Sequence, residues 1–238
     1  MYFLALLFLL ITTEISAKVV LIDPGHGGEE VGAIGHIGNK NKYYEKDLAL
    51  RLAKKIKDEL AKSTSAYLTR SIDRLVSLQD RAQMADDVRA DLFLSIHFNS
   101  SVNEKSHGFE MYYLDNNSNV ATQKVERSEN LNLKGEELIV NQILVDLVVQ
   151  QTVSHSKQLA RDVHEKLKPV LKKNKLDDRG IKPGLFYVLA LSKRPGLLIE
   201  VGFMSNPGEL QKVKEEKFLN EMAKAISEGV MAFVKNMK

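Results

Sequence analysis

The 238-residue sequence contains no cysteine and no tryptophan. Without thiols there is no disulfide framework, no Cys nucleophile, no iron–sulfur cluster and no thiolate zinc site. Any metal must be held by His, Asp, Glu and water, and six histidines are present. Net charge is also scarce: 34 basic against 31 acidic residues leave +3. So small an excess argues against a nucleic-acid partner. There is no internal repeat, no low-complexity tail, and no apolar run of the ~20 residues that a membrane span requires. The remaining composition, 44% hydrophobic and 27% charged, is that of a soluble globular chain with a sizeable core. The length suits one domain, or two small ones at most.

Residues 1–12 (MYFLALLFLLIT) form an uncharged apolar run, followed by the small-residue stretch Ile15-Ser16-Ala17. This pattern is read as a secretory signal peptide over 1–17. A buried N-terminal element and an uncleaved anchor are the alternatives. Cleavage would remove Glu14, raise the formal charge to +4 and leave a mature chain from Lys18 without a membrane span. An exported chain without cysteines suits a bacterial envelope or periplasm.

From residue 18 onward, strand-like and helix-like pieces alternate. Strands are expected over 18–23, 65–70, 91–97, 108–114, 186–191 and 196–201. In residues 45–62, Leu48, Leu52, Ile56 and Leu60 recur every four positions, the stripe of an amphipathic helix. Ser77 and Asp80 resemble a capping box opening a helix over 78–90. Residues 136–170 are helical in pattern, with Pro169 near the end. Lys172 to Asp178 reads as a charged loop. Asn206-Pro207 opens a helical section, since Pro suits the first turn, and 218–237 reads as the closing helix. The alternation predicts a single α/β domain with a largely parallel or mixed sheet. In such sheets sites gather at the C-terminal ends of strands. That rule selects residues 23–26, residues 97–99 and Glu200.

Each selected residue has a bland reading beside a chemical one. Asp23-Pro24-Gly25-His26-Gly27-Gly28 follows a strand, but it lacks the third glycine of a dinucleotide fingerprint and the Gly-Lys-Ser/Thr of a P-loop. Its glycines bring His26 to a crowded point, or simply make a turn with a surface histidine. His97 ends an apolar strand, so its nitrogens need partners. It is a satisfied core histidine or a metal ligand. Glu45 opens a helix, where it complements the dipole or serves as a ligand. Glu200 interrupts the apolar run 196–203. It belongs to an ion pair, or it is an acid–base group whose pKa burial raises.

Together, DPGHGG, YYEKDLALRLA, LTR, SLQDRAQMA, ADLFLSIHFN and LLIEVGFMSNP resemble, in order, the zinc-dependent N-acetylmuramoyl-L-alanine amidases of the type-3 cell-wall family. The resemblance covers the whole mature chain, 18–238. It implies a twisted, mostly parallel six-stranded sheet flanked by helices. It implies that His26, Glu45 and His97 hold one Zn2+ and that Glu200 is the catalytic carboxylate. Two His and one Glu leave an open position, the pattern of catalytic zinc. The implied reaction cleaves the amide between N-acetylmuramic acid and L-alanine in peptidoglycan, as in wall remodelling or daughter-cell separation. Arg70 and Asn99 match recurrent positions, with substrate contact, support of the ligands or ordinary hydrogen bonding as their readings.

Residues 115–150 are long for a connection. Division-associated members of the family carry an insertion here that covers the zinc cleft until an activator protein moves it. Glu129-Asn130 resembles a pair seen in that insertion, which makes Glu129 a candidate regulatory zinc contact. A core helix with solvated acids is the alternative. His36, His107, His155 and His164 are expected to be non-ligands. Two other functions compete with the amidase: a zinc peptidase acting on another amide, and a non-catalytic peptidoglycan-binding module.

Overall fold

The computed structural model describes residues 18–38, 41–117, 120–130 and 136–237. The proposed signal peptide, residues 1–17, lies outside the described residues. Fifteen elements follow one another: β1 (Val19–Pro24), β2 (Ile34–Ile37), β3 (Asn41–Tyr44), α1 (Glu45–Leu60), β4 (Ser65–Leu68), α2 (Leu78–Asp87), β5 (Leu92–Asn99), β6 (Phe109–Leu114), α3 (Val120–Glu129), α4 (Glu136–Asn174), β7 (Asp178–Gly184), α5 (Tyr187–Ser192), β8 (Gly196–Phe203), α6 (Pro207–Val213) and α7 (Glu216–Asn236).

Six strands form one sheet in the order β4-β1-β5-β8-β6-β7. β4, β1, β5 and β8 run parallel. β6 lies antiparallel to β8, and β7 runs parallel to β6. This is the expected α/β fold with a mostly parallel sheet. β2 and β3 pair in a separate antiparallel hairpin that the sequence reading did not identify.

The central strands β5 and β8 are buried along their whole length. Alternation divides their side chains between two cores. Val20, Ile22, Leu92, Leu94, Ile96, Leu197 and Ile199 face α1, the C-terminal part of α4, and α7. Leu48, Leu52, Ile56 and Leu60, the predicted stripe of α1, all lie in that core. Leu21, Phe93, Leu198 and Tyr112 face α5 and the N-terminal part of α4. The polar residues of β1, β5 and β8 fall on this second face, towards the strand ends.

Two element assignments are corrected. Residues 186–191, expected as a strand, fall on the short helix α5 (Tyr187–Ser192) and its N-cap Phe186. Phe186 to Ala190 are all buried, and so short an apolar run carries no periodicity that separates helix from strand. Lys193, in the left-handed region at φ 54°, ends that helix. The sixth strand is instead β7, beginning at Asp178 where a charged loop was expected. β7 pairs on one side only, and its polar sequence, with Pro183, is tolerated at a sheet edge. Two predicted helix starts carry their caps. Ser77 Oγ accepts from Asp80 N at 3.0 Å, and Asn206 Oδ1 accepts from Glu209 N at 3.0 Å.

Candidate metal centre

A cleft of about 720 Å³ opens at the C-terminal ends of β1 and β5. It is lined by His26, Glu45, His97 and Asn99, by residues 75–81, and by Lys124, Ser128 and Glu129 of α3. This is the position the strand-end rule selects.

His26 stands in the turn after β1, in the left-handed region at φ 56°. His97 is the sixth residue of β5, and Glu45 is the first residue of α1. The loop before His26 is tight: a Cβ on Gly25 would lie 2.3 Å from the His97 ring, so only glycine fits there. Glu45 Oε2 lies 3.2 Å from His26 Nε2, and Glu45 Oε1 lies 3.0 Å from His97 Nδ1. The same carboxylate accepts from Phe98 N at 3.0 Å and Ala33 N at 2.7 Å, which fixes its orientation. A fourth group joins them from α3. Glu129 Oε2 lies 2.9 Å from His97 Nδ1 and 3.5 Å from His26 Nε2.

Electrostatics at this point favour positive charge. Burial works to lower the pKa of both imidazoles, but Glu129 and Glu45 outweigh it at His97 and Glu45 leads at His26, so both pKa values are raised. Burial also works against ionised Glu45, yet His26 and His97 hold its pKa well below the ordinary range. His26 Nε2 is buried without a hydrogen bond. A buried imidazole nitrogen without a well-formed hydrogen bond, set among carboxylates, is what a cation would engage. Donor atoms of His26, His97 and Glu129 lie within 4.8 Å of one another, close enough to hold a metal ion. Glu45 adds a carboxylate oxygen within hydrogen-bond distance of the His97 ring.

Glu200 on β8 sits directly opposite His97 on β5. It is buried, and its Oε2 has no hydrogen-bond partner. Burial, followed by the charge of Glu129, pushes its pKa well above the ordinary carboxylate value. Asn99 lines the cleft. Its Oδ1 accepts from Ser100 N at 2.7 Å, while its buried Nδ2 has no partner. Arg70 lies beneath the His26 turn, bonded to backbone carbonyls rather than lining the cleft. The other histidines lie elsewhere. His36 is exposed on β2, His107 and His164 pair with Asp177 and Asp178, and His155 meets the Phe233 ring edge-on.

Two residues with roles here escaped the sequence reading. Arg81 of α2 is buried against the His26 turn. Glu110 of β6 sits opposite Glu200 and carries the Tyr112 hydroxyl, Arg179 and Lys182 on its carboxylate. The signal that singled out Glu200, a charge inside an apolar strand, was equally present at Glu110.

Comparison with known proteins places the chain in a family. The family model for N-acetylmuramoyl-L-alanine amidase (Amidase_3) matches residues 20–232. N-acetylmuramoyl-L-alanine amidase AmiA of Escherichia coli K12 is 34% identical over 226 residues, 91% of this chain and 76% of that protein. The crystal structure of an N-acetylmuramoyl-L-alanine amidase from Clostridium difficile 630 superposes with a TM-score of 0.71 at 31% identity, covering 94% of this chain and all of that one. The catalytic domain of the amidase CwlV from Bacillus (Paenibacillus) polymyxa gives 0.67 at 31%, covering 92% and 98%. The chain belongs to the N-acetylmuramoyl-L-alanine amidases, hydrolases that act on peptidoglycan.

Proposed function

We propose that the chain is a zinc-dependent amidase that cleaves the bond between N-acetylmuramic acid and the L-alanine of the stem peptide. The observation that carries this reading is the meeting of His26, Glu45 and His97, from three separate elements, beside the buried Glu200, whose Oε2 has no hydrogen-bond partner. Zinc fits the donor set, two imidazoles and a carboxylate with no thiolate. When bound, it supplies a Lewis acid and lowers the pKa of water. His26, Glu45 and His97 would hold it. Every other role belongs to the chain. Glu200 takes the proton from the attacking water and delivers it to the departing amide nitrogen, work suited to a carboxylate whose pKa burial has raised. The Glu45 carboxylate keeps both histidines in register through its four contacts.

In this reading the fold is a covered state of the enzyme. Glu129 Oε2 lies against both histidines, where it would compete with water or a substrate carbonyl for a bound ion, and α3 forms one wall of the cleft. Two polar clamps support α3 as a lid. Leu185 N donates to Glu126 Oε1 at 2.6 Å. Asn130 donates to Leu185 O at 2.6 Å and accepts from Tyr187 N at 3.0 Å. Residues 115–150 thus act as the regulatory insertion, and an activator protein acts by drawing α3 away. Residues 118–119 and 131–135 of that segment lie outside the described residues. Residues 1–17 direct export, and the mature enzyme works in the bacterial envelope, where its substrate is. Among the described residues no helix is long and apolar enough to cross a membrane.

Incubation of the full chain with purified peptidoglycan tests the reading. Cleavage should expose new L-alanine N-termini, stop with a chelator and resume with zinc. Cleavage that leaves muramoyl–L-alanine intact would point to a peptidase. Binding without cleavage, even after α3 is removed, would point to a wall-binding module.

A further inference from the structure

The turn that presents His26 is not held by its own hydrogen bonds alone. Two buried guanidinium groups lie beneath it. Arg70 Nε donates to Pro24 O at 3.1 Å, and its Nη2 donates at 2.8 Å to Gly25 O and at 2.8 Å to Lys46 O. Arg81 Nη1 donates to Pro24 O at 3.0 Å, its Nη2 to His26 O at 3.0 Å, and its Nε to Val76 O at 3.1 Å. The carbonyls of three consecutive residues, Pro24, Gly25 and His26, are therefore all taken by two arginines. Both arginines are almost fully buried.

Their own placement is fixed in turn. Arg81 pairs with Asp23, whose carboxylate also accepts from Thr69 Oγ1 at 2.6 Å and Ser95 Oγ at 2.8 Å. Arg70 passes close beneath Gly27, where a Cβ would lie 3.0 Å from Arg70 Nε and 2.1 Å from Arg74 O. Gly27 is at φ 135°, so it is glycine for both conformation and clearance.

The geometry says what this arrangement accomplishes. His26 is not a glycine, yet it holds a left-handed backbone, which persists only where surroundings over-determine it. Arg81 grips the carbonyl of that very residue. Arg70 joins the turn to Lys46 O in the first turn of α1, one residue from Glu45. A single nitrogen thus ties the strand-end turn to the helix start, setting the separation of two groups that face one cation.

We infer that Arg70 and Arg81 are positioning residues for the metal centre, a double guanidinium cradle that pre-sets His26 and Glu45 for zinc. The inference rests on the reading that His26, Glu45 and His97 hold that ion. Lysine cannot reproduce it, because an ammonium is a point donor without the planar fork that reaches several carbonyls at once. On the surface the cradle continues. Asp73 accepts from Gly28 N at 2.8 Å, and Lys46 Nζ donates to Gly28 O at 2.8 Å and Asp73 Oδ2 at 2.6 Å.

The test is zinc affinity of the full chain, measured by competition with a chromogenic chelator, alongside Tm of the zinc-free proteins. R70K and R81K should each weaken zinc about 10- to 100-fold, the usual effect of losing support behind a ligand. The exposed variant D73A, which carries little risk to folding, should weaken it by less. R194K serves as the structural comparison, since Arg194 clamps Ala90 O and Asp86 at the opposite end of the sheet. It should lower Tm and leave zinc affinity unchanged. Tight 1:1 binding by the unaltered chain, with unchanged affinity in every cradle variant that folds, would overturn the cradle alone. Failure of the unaltered chain to bind zinc would overturn the cradle together with the zinc reading beneath it.

Discussion

His97 and Glu129 lie 2.9 Å apart, yet they reach that point through very different surroundings. His97 is carried by β5, flanked by β1 and β8 and buried at every residue. Its neighbours His26 and Glu45 are fixed by the arginine cradle and by the amides of Ala33 and Phe98. Displacing His97 or Glu45 means exposing buried structure. Glu129 is the last residue of a ten-residue helix. The polar anchors of that helix include the Glu126 and Asn130 clamps on the backbone at Leu185 and Tyr187. A few directional hydrogen bonds of about 1 kcal/mol each can be exchanged for contacts with a partner, whereas a close-packed strand cannot. On the proposed reading, the difference separates a fixed side of the cleft from a displaceable one.

Changes on the strand side should subtract, and changes on the α3 side should add. E200Q should have the largest effect. Loss of proton transfer should reduce kcat by about 10²–10⁴-fold while zinc stoichiometry is retained. Turnover like that of the unaltered chain would remove Glu200 from its role.

D23N comes next and is read in stability. It leaves buried Arg81 without its counter-charge, which should destabilise the fold by about 3–5 kcal/mol in denaturant unfolding. Burial works to raise the Asp23 pKa, but Arg81 and Thr69 outweigh it and hold it below the ordinary 3.8. The pair's contribution is therefore present above that pH and is lost as pH falls below it. In D23N the acid limb of the stability profile should be shallower.

On the other side of the cleft, E129A should raise basal peptidoglycan cleavage about tenfold or more, in line with a charge-assisted contact of about 1.5–3 kcal/mol. Deleting residues 118–137 should act in the same direction. Unchanged or lower activity in both would mean that α3 is part of the working site, not a lid over it. N130A should have the smallest effect, a rise of about fivefold for two neutral, part-buried hydrogen bonds of about 0.5 kcal/mol each. It should also speed amide exchange at Tyr187, whose N–H it leaves without its acceptor.

The strand ends were legible because burial and chemistry conflict there. His97 and Glu200 stand out as polar residues in apolar runs, and Gly25 and Gly27 mark a turn too tight for a side chain. Glu45 was legible only through the family pattern, since an acidic residue at a helix start is ordinary. Arg81 was hidden because an arginine in a polar helix reads as solvated. Nothing in its local sequence says that it turns inward to Asp23. The strand at 178–184 was hidden because an edge strand needs no apolar alternation, and α5 because a short buried run has no usable period.

The sequence by itself determined the alternating α/β pattern, the absence of thiolate chemistry and the donor types left for a metal, since these follow from composition and local periodicity. Only the tertiary structure decided that Glu45 meets His97 across 52 positions and that two arginines hold the turn between them. Glu129 was already a candidate contact through the family resemblance, and the structure sets its carboxylate 2.9 Å from His97 Nδ1. Such contacts come from strand order and helix docking, which place together residues whose sequence neighbours carry no trace of the meeting.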